Sequence, residues 1–287
     1  MLWLGGLAFA ASLDIDIETV DTELDKGTRL RLEYGLWQAS HLYETRLGID
    51  YPATIHLDVT IYGERAAFAK RRDDAGHPEW YAGWFSRKDG RNEAVFFAGK
   101  RPERLVEVFR HEGSHFLVSF GGPMPGWLNE GLAEVLESAH DEGSELIAVP
   151  YRQTVSFLKE HGGGSVRDTV LDDTRWKDTP NASVSSRYRR AWAITTVLLS
   201  TRNGSETLKA VAKAYRKRRS REAALAAIDA TYQGGVDGLQ RDLDRFAADP
   251  PARVVIARGL KGPLKSDVIW TSCPDGRLVR TTDGCGY

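Results

Sequence analysis

The sequence predicts an α+β fold: a small mixed-sheet lobe over residues 13–122, a helical lobe over 123–249 and a tail over 250–287. Three patterns lead to it. Apolar residues alternate with polar ones at Leu13, Ile15 and Ile17 and again at Ile55, Leu57, Val59 and Ile61, the period of half-buried strands. Between and after those runs, apolar side chains recur at helical spacing. From Val149 to Asp249 no alternating run interrupts the helical pattern.

The elements follow in chain order. The strand at Leu13–Ile17 precedes a helix expected from Leu24 to about Leu47, where Leu32, Leu36, Trp37 and Leu42 share a face better than they alternate. Ile55–Ile61 forms the next strand, ended by Gly63, and Glu64 to Arg72 is a short charged helix. Ala82–Phe85 and Glu93–Phe97 read as two strands joined through Lys88-Asp89-Gly90, an Asp-Gly turn signal. Pro102, well tolerated in a first helical turn, opens a helix running to Phe120. After Gly121-Gly122-Pro123 a helix spans Trp127 to about Ser138. Further helices are expected at Tyr151–His161, Ser186–Leu199, Ser205–Tyr215, Arg221–Thr231 and Gly238–Ala247, with Gly162-Gly163-Gly164 as a loop.

Composition narrows the class. Of 287 residues, 41% are hydrophobic and 28% charged, and 39 basic residues nearly cancel 40 acidic ones. That balance argues against nucleic acid as a partner, since no global positive field would draw a polyanion, and no run reaches the ~18–20 apolar residues of a membrane span. Residues 1–12 are almost wholly apolar, and Ala8-Phe9-Ala10 has the small-x-small form of a signal cleavage site; a buried N-terminal strand is the alternative. Cys273 and Cys285 flank two Asp-Gly turns around Arg277–Arg280, the pattern of a hairpin clasped by a disulfide in an oxidising compartment. Both ends fit a periplasmic or secreted location, with the cytoplasm as the alternative.

The most informative residues are His111-Glu112-Gly113-Ser114-His115. On a helix, side chains four apart sit on one face about one turn (~5.4 Å) along the axis. Two imidazoles so placed can reach one zinc ion, and the intervening Glu can serve as general base toward an attacking water. The fourteen residues after His115 leave room to reverse the chain and return Glu130 and Glu134 on a second helix. A catalytic zinc site takes three protein ligands and keeps one position open, which His111, His115 and Glu130 would fill. Glu134 could then accept the free N–H of a ligand imidazole, or be a solvated surface carboxylate.

His111-Glu112-x-x-His115 followed by Trp127-Leu128-Asn129-Glu130-Gly131-Leu132-Ala133-Glu134 resembles the gluzincin metallopeptidases, the thermolysin and aminopeptidase-N-like superfamily, and in particular its compact members. The resemblance covers about Trp80 to Leu199. It implies a site in the cleft between the two lobes, one zinc ion held by His111, His115 and Glu130, Glu112 as base, and a peptide or protein substrate. Tyr188-Arg189-Arg190-Ala191-Trp192-Ala193 is similar to the segment that carries the oxyanion-stabilising Tyr of the aminopeptidase branch, which implies that role for Tyr188. Where aminopeptidases carry Gly-x-Met-Glu-Asn, this chain has Gly90-Arg91-Asn92-Glu93-Ala94. That departure favours an endopeptidase or a narrow-specificity peptidase over a general aminopeptidase. Gly113 sits inside the expected zinc helix at about 1 kcal/mol of lost helix propensity, which close packing at that turn could offset.

Other features carry less. Glu93–Phe97 could be an edge strand that pairs with extended peptide or an ordinary sheet strand. Arg216-Lys217-Arg218-Arg219 with Arg221 reads as a solvated helix end or a phosphate-binding patch, and His41, His56, His77, His140 and His161 as structural or surface residues. The functional expectation is a zinc-dependent peptidase. The alternative is a non-catalytic cell-envelope binding or scaffolding protein that retains the fold.

Overall fold

Alternating and helical patterns generate two packed parts in a computed structural model, which describes residues 12–142, 144–172, 181–259, 270–272 and 278–280. The first part comprises β1 (Ser12–Val20), α1 (Lys26–Leu47), β2 (Thr54–Tyr62), α2 (Arg65–Asp74), β3 (Gly83–Lys88), β4 (Arg91–Phe97) and α3 (Pro102–Phe120). Its sheet is mixed, with spatial order β1-β2-β4-β3: β1 and β4 run parallel to β2, and β3 runs antiparallel to β4. The fold class is therefore α+β, as the alternation predicts.

Burial explains the layers. Ile55, Leu57, Val59 and Ile61 are all buried on one face of β2, where α1 and α3 cover them within the main apolar cluster. On the opposite face, α2 packs Phe68 against Trp84 and Val95 in a small separate cluster. Asp25 caps α1 by accepting from the Thr28 N–H at 2.9 Å, and Gly48 ends it in the left-handed region at φ 63°, the usual helix-terminating conformation.

Of the two readings of Glu93–Phe97, the ordinary sheet strand holds. It lies in β4, between β2 and β3, while β1 and β3 are the edges of the sheet. The cause is the turn. Asp89 and Gly90 both have positive φ (51° and 78°), the two-residue type I′ connection that folds β3 tightly back on β4. The other side of β4 is taken by parallel pairing with β2 from Asp58↔Glu93 to Tyr62↔Phe97.

The second part is helical but not purely so. It contains α4 (Gly126–Glu137), β5 (Ala139–Glu142), β6 (Glu145–Ala148), α5 (Arg152–His161), α6 (Val166–Leu171), α7 (Asn181–Ser200), α8 (Gly204–Arg218), α9 (Arg221–Thr231) and α10 (Gly235–Ala248). The region expected to be a tail begins with β7 (Val254–Arg258), which pairs antiparallel with β6 and completes a three-stranded sheet. β8 (Trp270–Ser272) and β9 (Leu278–Arg280) pair antiparallel, so part of the expected hairpin forms. Its two cysteines lie outside the described residues, as do residues 1–11 of the apolar N-terminal segment.

The lobes share one core. A single apolar cluster includes Leu36 and Phe109 from the first part and Leu132, Leu198 and Leu239 from the second. Across the boundary, Arg216 at the end of α8 donates from Nη1 to the Gly121 carbonyl at 2.8 Å, so the basic run begins with a residue that clamps the turn after α3. Arg110 of α3 forms a buried ion pair with Asp141 of β5 at 2.9 Å, each side chain 8% exposed. Among the described residues no helix is long and apolar enough to cross a membrane.

Candidate metal centre

α3 presents the H-E-x-x-H residues because the rest of the helix is committed to the core. Leu105, Phe109, Phe116 and Leu117 are buried, while His111, Glu112 and His115 open onto a cavity of about 470 Å³. The spacer residues hold the helix in place. Ser114 Oγ and Tyr43 Oη of α1 share a buried hydrogen bond of 2.6 Å. Gly113 faces Leu36, whose Cδ1 would lie 2.7 Å from a Cβ at that position, so the glycine buys the close approach of α1.

α4 brings the carboxylates. Trp127, Leu128, Gly131, Leu132, Val135 and Leu136 are buried, leaving Glu130, Glu134 and Glu137 as a stripe at positions i, i+4 and i+7 facing the same cavity. Gly131 lets α4 pack closely on α7: a Cβ there would fall 2.2 Å from Thr195 Oγ1 and 2.7 Å from the Ala191 carbonyl oxygen.

The expected ligands converge. Glu130 Oε2 lies 3.8 Å from His111 Nε2 and 3.6 Å from His115 Nε2, and one ligand atom of each residue lies within 4.8 Å of the others. Bonds of ~2.0–2.1 Å in tetrahedral geometry would set ligand atoms about 3.3–3.4 Å apart, so Glu130 need approach each imidazole by only a few tenths of an ångström. Two imidazole nitrogens and one carboxylate are also the donor set that suits zinc. The residues present fit a zinc ion.

The support of His111 differs from expectation. Glu134 Oε1 is 3.8 Å from His111 Nδ1, while Glu137 Oε2 takes that nitrogen at 2.8 Å. Glu137 stands three residues further along the same stripe, so the helical spacing that picks out Glu130 and Glu134 also points to it. Arg104 in turn bridges Glu107 at 2.9 Å and Glu137 at 2.5 Å. Glu137 thus fixes the ring so that Nε2 faces Glu130.

Electrostatics follow the same contacts. Burial is the largest influence on His111 and favours the neutral ring, but the hydrogen bond and charge of Glu137, with Glu112 and Glu134, outweigh it and carry the imidazole up to about 10. A divalent ion would therefore compete with a proton at this nitrogen pair. Burial pushes the Glu112 carboxyl up, against the pull of His115 and His111, and a more basic carboxylate is a better proton acceptor. The Phe85 N–H of β3 donates to Glu112 Oε2 at 3.1 Å, which orients the group. Tyr188 of α7 lines the cavity, and burial with the Glu130 and Glu134 charges pushes its phenol up, keeping it a proton donor.

No family model and no curated protein sequence matches this chain.

Sequence reasoning missed one wall. His77, Trp80 and Tyr81, in the connection before β3, line the cavity, so His77 belongs to the site and is not a detached surface residue. Its ring stacks on Tyr81 at 5.4 Å and leans on Trp84 at 4.7 Å. Burial and the Arg71 charge hold His77 below the usual histidine range, favouring a neutral ring. Trp80 is 55% exposed, the one large apolar side chain so open among the described residues. A lone His and two neighbouring aromatics carry no spacing signal, which is why this wall is invisible in the sequence.

Proposed function

We propose that the chain is a zinc-dependent peptidase of gluzincin type. The observation that carries the reading is the convergence of His111 Nε2, His115 Nε2 and Glu130 Oε2 in one cavity that also holds Glu112. Zinc held by those three residues would supply a Lewis acid for a peptide carbonyl.

The chain's own residues do the rest. Glu112, oriented by the Phe85 N–H, takes a proton from the attacking water and delivers it to the departing amine. Tyr188, kept protonated, donates a hydrogen bond to the carbonyl oxygen as negative charge gathers there. β3 is the free edge of the sheet beside the cavity, and its outward backbone groups can pair with an extended peptide. Trp80 and Tyr81 offer apolar surface to a substrate side chain. The apolar N-terminal segment and the two cysteines flanking Asp-Gly turns in the sequence support a periplasmic or secreted setting.

Elemental analysis of the purified protein should find about one zinc per chain, lost in His111→Ala. Glu112→Gln should keep the metal, because its carboxamide oxygen can still accept from Phe85, yet lose peptide cleavage. Equal cleavage by Glu112→Gln and the native chain would overturn the assignment.

A further inference from the structure

The cavity carries four carboxylates, and three of them are committed. Glu112 accepts from the Phe85 N–H, Glu130 faces both Nε2 atoms, and Glu137 binds His111 Nδ1 and Arg104. Glu134 is left over. Among the described residues its one ion-pair contact is His111 Nδ1 at 3.8 Å, a nitrogen already held by Glu137. Arg104, the cation nearest in role, is shared between Glu107 and Glu137.

Charge accounting gives the same result. Arg104 is hydrogen-bonded to Glu107 and Glu137, a divalent ion would balance Glu112 and Glu130 and leave the His111 ring neutral, and among the described residues Glu134 then has no hydrogen-bonded cation of its own. A carboxylate in a confined cavity without a donor is costly until something supplies one. Trp80 and Tyr81 line the same cavity, and aromatic faces also attract cations.

We propose that Glu134 is a specificity-determining residue that binds an ammonium group of the ligand entering this cavity. For what the ligand is, the proposal rests on the peptidase reading: a peptide bearing either a free α-amine or a lysine side chain. Glu134 stands one helical turn, ~6 Å, from the ligand Glu130, so the ammonium sits beside the reacting carbonyl and not at a remote surface.

The test is binding of three small probes to the zinc-loaded and the metal-free protein by calorimetry: L-leucinamide (α-ammonium), N-acetyl-L-lysinamide (side-chain ammonium) and N-acetyl-L-leucinamide (neutral). One of the two ammonium probes should bind about ten- to a hundredfold more tightly than the neutral one, the range of a charged hydrogen bond, and which one does identifies the source. Glu134→Gln should erase that preference while keeping its zinc and its melting temperature. Should that variant fold poorly, Glu134→Asp keeps the charge one methylene further back and should show a reduced preference. Equal binding of all three probes, a preference that survives in Glu134→Gln, or loss of zinc from that variant would overturn the proposal. A protein that cleaves no peptide yet shows the Glu134-dependent preference would sink the peptidase reading and leave this one standing; cleavage that depends on Glu112 without any ammonium preference would do the reverse.

Discussion

Replacing Gly131 by Ala is the sharpest probe of the packing that aims Glu130. The new methyl would lie 2.2 Å from Thr195 Oγ1 and 2.7 Å from the Ala191 carbonyl oxygen. The hydroxyl can turn away, but the carbonyl is backbone inside α7 and can move only if α4 and α7 separate by most of an ångström. Against this stands a gain of up to ~1 kcal/mol in helix propensity. Overpacking of a well-filled contact costs typically about 1–3 kcal/mol and occasionally more, so a net loss of about 1–2 kcal/mol is expected, accompanied by weaker zinc binding as Glu130 shifts. Gly113→Ala supplies the comparison. Its methyl meets only Leu36 Cδ1, the far end of a flexible side chain, at 2.7 Å, and the propensity gain should offset most of the strain, leaving it within about 1 kcal/mol of native. Urea unfolding followed by circular dichroism, at fixed zinc, measures both variants. If Gly131→Ala proves as stable as the native chain, or less damaging than Gly113→Ala, the argument from α4–α7 packing is wrong.

Three further outcomes are expected. Glu137→Gln should weaken zinc binding about ten- to a hundredfold, the usual cost of losing a carboxylate behind a ligand imidazole; a competition titration giving native affinity would rule out that role. Asp141→Ala should cost about 3–5 kcal/mol because Arg110 would keep a buried, unpaired charge, whereas the double replacement Arg110→Met with Asp141→Leu should recover most of it; thermal unfolding that finds the single variant near native would contradict the pair. His56 lies between Asp14 at 3.0 Å and Asp58 at 2.8 Å, whose hydrogen bonds raise its pKa. Its contribution is therefore full below the ordinary histidine pKa and fades as pH rises through the raised value. Because the group is exposed, the effect stays below about 1 kcal/mol, so His56→Gln should lose that much at pH 5 and nothing at pH 9, and a loss that grows with pH would reverse the sign.

What the sequence revealed depended on whether a single period dominated. β2 alternates over nine residues and buries every second one, so its strand and its inward face were both legible. α1, α3 and α4 are long and were placed to within a few residues. β5 and β6 escaped because each has four residues, too short to show a period, and because β5 follows α4 with only Ser138 between. β7 escaped because its partner β6 lies more than a hundred residues earlier. The edge position of β3 depends on the backbone sign at Asp89 and Gly90, which the Asp-Gly signal indicates, and on parallel pairing of β2 with β4, which no local pattern encodes. In the site, the convergence of His111, His115 and Glu130 was legible because they fall at the fixed spacings that a metal would demand. Glu137 was missed although it continues the stripe, since either Glu134 or Glu137 could meet His111 and only the packed geometry chooses.

That choice shows how labour is divided within the two motifs. The spacers of His111-Glu112-Gly113-Ser114-His115 are the positions that anchor α3 to α1, through Gly113 against Leu36 and Ser114 with Tyr43. Gly131, between Glu130 and Glu134, anchors α4 to α7, and Trp192 of α7 donates to Ser138 Oγ at 3.0 Å just beyond the helix end. A ligand set must be held to about 0.5 Å to bind and activate a metal, and polar side chains facing an open cavity cannot hold themselves. Glu137 and the Phe85 N–H orient His111 and Glu112, but the placement of the helices that carry them comes from the residues between. Gly131, which faces backbone, is therefore under a packing constraint as tight as the chemical ones on the ligands, and disturbing it should misplace Glu130, which has not itself been changed.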